Sequence, residues 1–74
     1  MEERIGLHPD ICNGRPVVRG TRISVQTILE FLGAGDSIEQ LLEAYLVLSR
    51  DDVLAALRYS SRLMANRYHT ERVA

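Results

Sequence analysis

The spacing of apolar residues changes at Ser24. Ahead of it, the apolar residues come singly or in pairs, and His8-Pro9-Asp10 and Asn13-Gly14 are turn signals. This stretch predicts loop and short strands. Pro16 favours an extended Arg15, and Val17-Val18, Arg19-Gly20 and Thr21-Arg22-Ile23 then read as a small β-hairpin with glycine at the positive-φ turn position. After Ser24 the period becomes helical. Val25, Ile28, Leu29 and Leu32 fall at i, i+3, i+4 and i+7 behind a Ser24 cap, with Gly33 or Gly35 as the stop. Ile38, Leu41, Leu42 and Tyr45 repeat the spacing behind Asp36 or Ser37, with Glu39 and Glu43 on the solvent side. A third helix follows the link Leu46-Val47-Leu48, opened by Ser49 with Asp52 in the acidic position of a capping box. It runs through Val53, Leu54, Leu57, Ser61 and Met64 as far as Tyr68.

The expected fold is therefore mainly α within the α+β class, with a short N-terminal β-hairpin ahead of a three-helix unit. Residues 1–23 form the loop and ribbon, 24–68 the helices and 69–74 a tail. The helical order is that of a tri-helical helix-turn-helix, a layout that also occurs without any DNA role. At 74 residues the chain is one domain with a small core, and burial across a symmetric interface would add stability, so a homodimer is expected.

Composition narrows the function classes. Hydrophobic residues at 46% and charged residues at 26% exclude a disordered chain. The opening MEERIGLHPD lacks the apolar stretch of a signal peptide, no membrane-spanning run follows, and Cys12 has no partner for a disulfide. The expected compartment is the cytoplasm. The net charge of −1 lacks the strongly basic footprint of a nucleic-acid binder. All nine basic residues are nevertheless arginine, the residue suited to bidentate pairing with carboxylate or phosphate.

"HPDIC", "GRPVVRGTRISV", "GAGDSIEQLL" and "LSRDDVLAAL" together resemble a bacterial family catalogued as domain of unknown function 433, over roughly residues 5 to 60. Its members look like VapB-type antitoxins. The resemblance implies a homeodomain-like or winged-helix fold, a dimer, and a partner of the PIN-like ribonuclease toxin type. It also implies no enzymatic activity, and promoter DNA is a possible further partner of the helix-turn-helix. Leu46 departs from the family, which often carries proline after the tyrosine.

Three groups of residues are candidates for contact. Arg15, Arg19 and Arg22 on the ribbon either meet phosphates or pair with carboxylates such as Asp10, Asp36 or Glu39 as scaffold. On the third helix, Arg50, Ala55, Arg58, Tyr59 and Arg62 are candidates for a DNA or partner contact, while Asp51 and Asp52 at its start would repel phosphates. In the tail, Arg67, Tyr68 and Arg72 are candidates for toxin binding, because guanidinium pairs with the metal-binding carboxylates of a nuclease. A packed or solvated helix end is the rival reading. His8, Asp10 and Cys12 lack a second ligand cluster, so no metal site is expected. No nucleophile has a base at recognisable spacing and no phosphate loop is present, so neither catalysis nor a cofactor is expected. A protein-interaction module without DNA binding is the alternative function.

Overall fold

Three serines start the three helices, each for a local reason. In the computed structural model, which describes residues 2–68 except for the side chains of 67 and 68, Ser24 caps α1 (Val25–Gly33) by accepting the Thr27 N–H at 3.0 Å. Ser37 caps α2 (Ile38–Ala44) through a reciprocal box, its hydroxyl accepting the Gln40 N–H at 3.1 Å while Gln40 accepts the Ser37 N–H at 2.6 Å. Ser49 and Asp52 make the same exchange ahead of α3 (Arg50–Tyr68), at 3.2 and 2.9 Å. Gly35, at φ 100°, takes the left-handed position that ends α1 and turns the chain toward α2.

The N-terminal sheet is an antiparallel pair, β1 (Ile5–Gly6) with β2 (Val17–Val18), in the register Ile5↔Val18 and Gly6↔Val17. The turn expected after β2 is present, with Gly20 at φ 80°. The segment returning from it does not extend into a strand. It keeps one bridge, Val17↔Ser24, and the hydrogen bond from Val18 N–H to Ile23 O at 2.9 Å, before Ser24 starts α1. The second strand comes instead from Ile5–Gly6, because a helix cap at Ser24 ends the extended run while Ile5 carries a large apolar side chain to the core. Between the strands, Cys12, Asn13 and Gly14 all have positive φ (51°, 57° and 78°), forming one left-handed turn. Its ends are closed by Gly14 N–H to Ile11 O and Arg15 N–H to Cys12 O, at 3.0 and 3.1 Å. Two non-glycine residues in this region are held against their steric preference.

Ile5, Val18, Val25, Ile28, Leu41, Leu48, Val53, Ala55 and Ala56 form the buried cluster on which the half-buried Phe31, Leu32, Ile38, Leu42, Tyr45 and Tyr59 pack. Phe31 and Tyr45 meet edge to face with centroids 6.1 Å apart. Every element contributes, so the hairpin is part of the core and not an appended arm. Leu46 and Val47, expected as an apolar link, are 86% and 70% exposed, and only Leu48 turns inward. The Leu48 N–H bonds to Tyr45 O at 3.0 Å, which puts Leu46 at the second position of a tight turn. That position suits proline and accepts most residues, so leucine there keeps the same turn.

Candidate partner-binding surface

The face that α3 turns to the core carries Asp52, Val53, Ala55, Ala56 and Tyr59 and runs on to Leu63, a stripe at helical spacing. This corrects the phase expected for α3. Ala55 is fully buried and cannot belong to an outer contact stripe, and Tyr59 is half-buried against the core. Small Ala55 and Ala56 fill the part of α3 closest to the other elements, whereas the larger Leu57 and Met64 are left 36% and 56% exposed. Arg58 and Arg62, by contrast, lie on the outside, one turn apart.

The inward stripe outlasts the body it packs on. With nine residues α1 is about 14 Å long and α3, with nineteen, about 28 Å, so the second half of α3 overhangs. There Leu63 and Met64 stand exposed beside Leu29 of α1, which is 38% exposed. The resulting groove, of about 300 Å³, is lined by Pro16, Val25, Leu29, Tyr59, Leu63 and Met64 and rimmed by Arg15. The sequence shows these apolar residues but not that the core stops short of them.

The ribbon arginines do not meet the carboxylates expected for them. Arg15 donates to the Gln26 amide oxygen at 3.1 Å, and Gln26 in turn donates to Glu30 at 3.1 Å, along the rim of the groove. Arg19 lies across Gly6, where a Cβ would stand 3.1 Å from its guanidinium, and its Nε donates to the Glu3 carbonyl at 2.5 Å. Arg22 has no side-chain partner among the described residues; its carbonyl accepts the Cys12 thiol at 3.2 Å. Arg19 and the Arg22 backbone thus brace the hairpin through main-chain groups, not through ion pairs. His8 accepts the Asp10 N–H at 3.2 Å, and among the described residues no group of three His, Cys, Asp or Glu could hold a metal ion. Of the tail candidates, Arg72 lies outside the described residues, as do the side chains of Arg67 and Tyr68.

Ion pairs instead tie the N-terminal segment to α3. Arg4 bonds Asp52 at 3.0 Å and approaches Asp51 at 3.8 Å, so the two acids at the start of α3 face a cation from their own chain. Arg58 holds Glu2 through two hydrogen bonds, 2.8 and 3.2 Å, and Arg62 reaches the same carboxylate at 3.3 Å. Arg50 pairs with Glu39 of α2 at 3.0 Å. Sequence reasoning missed Arg4 and Glu2, whose partners lie 48 and 56 residues away.

These pairs set a pH dependence. The hydrogen bond from Arg58 holds the Glu2 carboxyl below its ordinary value, outweighing burial, and Arg62 adds to it. Burial alone would raise Asp52, but the Ser49 N–H, Arg4 and the Ser49 hydroxyl together hold it low. Glu39 is lowered by its own backbone N–H and then by Arg50. Carboxyls with depressed folded pKa bind fewer protons folded than unfolded, so their stabilisation is present above the unfolded value and lost as pH falls through the folded one. The melting temperature should therefore be level near neutral pH and fall below about pH 4.5. Glu2→Gln should flatten part of that fall, as checked by circular-dichroism melts from pH 7 to 2.5; an unchanged acid limb would contradict the assignment.

The described residues define a small, mainly helical domain in which an N-terminal antiparallel hairpin packs on three helices. The chain belongs to the DUF433 family, described as proteins of unknown function, whose model matches residues 5–60. The uncharacterized protein y4eO of Sinorhizobium fredii (strain NBRC 101917 / NGR234) is 42% identical over 58 residues, 78% of this chain. The chain spans only 26% of that relative's length. The crystal structure of a DUF433 member from Anabaena variabilis has the same fold, with a TM-score of 0.77 and 28% identity over 92% of this chain and 69% of that one. No helix among the described residues is long and apolar enough to cross a membrane.

Proposed function

We propose that this protein is an antitoxin-like module of a bacterial toxin–antitoxin pair, acting in the cytoplasm by binding and neutralising a PIN-like ribonuclease and not by turnover. One observation carries the reading: the core-facing stripe of α3 continues past the body as an open apolar groove between α1 and α3. Exposed apolar side chains gathered in one groove and flanked by an arginine support a contact with another protein. Leu29, Leu63 and Met64 would receive an apolar helix face, with Arg15 meeting a carboxylate at its edge. The resemblance of DUF433 members to VapB-type antitoxins supplies the kind of partner. A homodimer is the state in which so small a core would act.

A second reading, promoter binding through α3 as the recognition element of a helix-turn-helix, is favoured by Arg58 and Arg62, which share its outer face. The test is affinity purification of the tagged full chain from its host, followed by mass spectrometry. A small PIN-like nuclease in stoichiometric amount is the expected result; recovery of the homodimer alone would refute the antitoxin role.

A further inference from the structure

Arg58 and Arg62 have already been given an anion by their own chain. Their side chains are 52% and 59% exposed, yet both converge on the Glu2 carboxylate, which is only 13% exposed. Arg58 engages it with two N–H donors, Nε to Oε2 and Nη2 to Oε1, and Arg62 adds one to Oε2. A guanidinium fork that fits two carboxylate oxygens fits two phosphate oxygens equally well. We propose that Arg58 and Arg62 form a binding site for a phosphate group, occupied at rest by Glu2, which an incoming phosphate must displace.

The architecture lets Glu2 leave without unfolding the hairpin. Glu2 precedes β1 and is held to it by one backbone bond, Ile5 N–H to Glu2 O at 3.1 Å. The adjoining anchor is separate: Arg4 keeps Asp52 at 3.0 Å, and its carbonyl accepts the Arg19 N–H at 2.8 Å. The guanidinium side of these pairs stands more than half in solvent, where ion pairs hold weakly, so the carboxylate competes with phosphate and does not forbid it. Of the acids at the start of α3, Asp52 is occupied by Arg4, and Asp51, 73% exposed, is the remaining negative charge that influences Arg58. The outer face of α3 is then nearly neutral at rest and becomes cationic once Glu2 is displaced. That accounts for a helix that carries arginines and yet shows no free basic patch among its described side chains.

This inference rests on the DNA reading for the source of the phosphate, and the experiment separates the two. The arginine Nε–Hε resonances of the full-length protein are followed by NMR during titration with inorganic phosphate and, in parallel, with a short duplex DNA at low salt. Chloride at matched ionic strength is the control. Phosphate should shift Arg58 and Arg62, and Glu2→Gln should tighten binding by about two- to fivefold. Glu2→Asp, which keeps the charge but shortens the reach, should lie between, and Arg58→Gln with Arg62→Gln should remove the response. Equal midpoints for wild type and Glu2→Gln would overturn the proposal, as would shifts that chloride reproduces. If phosphate binds as expected and the duplex does not, the site and its Glu2 competitor stand while promoter binding fails.

Discussion

Ile28→Ala is expected to cost about 2–5 kcal/mol, the range for deleting a fully buried aliphatic side chain and leaving a cavity. Ile28 is completely buried, in the cluster that also holds Ile5, Val18 and Val53. A domain of 74 residues has about 4–11 kcal/mol in total, so the loss is a large fraction of what holds it folded. Urea unfolding followed by circular dichroism should show a strongly lowered midpoint with an unchanged slope. Ile28→Val, which removes one methylene, should cost about 0.5–1.5 kcal/mol. Leu46→Ala, at an 86% exposed position, should change stability by less than about 0.5 kcal/mol. A loss below about 1 kcal/mol for Ile28→Ala would mean that the cluster around it is not packed as a core.

That contrast between Ile28 and Leu46 also marks what could be read along the chain. Local signals were legible. Ser24, Ser37 and the Ser49–Asp52 pair announce the three helix starts because a cap needs only residues three positions apart. Gly20 announces its turn because the backbone there requires positive φ. Non-local pairing was not legible. Two-residue strands carry no periodicity, so nothing in Ile5-Gly6 declares that it will pair with Val17-Val18. The phase of α3 was legible only in part: Val53 is buried as its apolar character suggests, but hydrophobic weight also points to Leu57 and Met64, while the core takes Ala55 and Ala56, which contribute little weight. For the candidate site, residue types were visible and roles were not. Arg58 and Arg62 stood out in the sequence, but Glu2, the acid that occupies them, lies 56 residues from Arg58 in the chain and gives no local sign.

Leu63→Glu is expected to weaken partner binding by about 30- to 1000-fold while leaving the fold intact. The two halves of that statement come from the same geometry. Leu63 continues the stripe that ends in the buried Ala56 and half-buried Tyr59, yet it is itself 46% exposed, so a carboxylate there can stay in water in the free chain. In a complex that fills the groove between Leu29, Leu63 and Met64, the same carboxylate would be desolvated against apolar surface, the kind of loss that defines a hot spot, about 2–4 kcal/mol. Leu46→Glu, also on exposed apolar surface but on the turn between α2 and α3, should leave binding unchanged. The measurement is recovery of the tagged variants with the nuclease, backed by calorimetric titration of the purified pair and by thermal melts of each free chain. Light scattering on the free variants separates the two occupants of the groove. If Leu63→Glu converts a dimer to monomer and keeps the nuclease, the groove joins two copies of this chain and the toxin must be held elsewhere. If neither assembly responds while the melts agree, the groove is not a contact surface, and the antitoxin reading loses the observation that carries it.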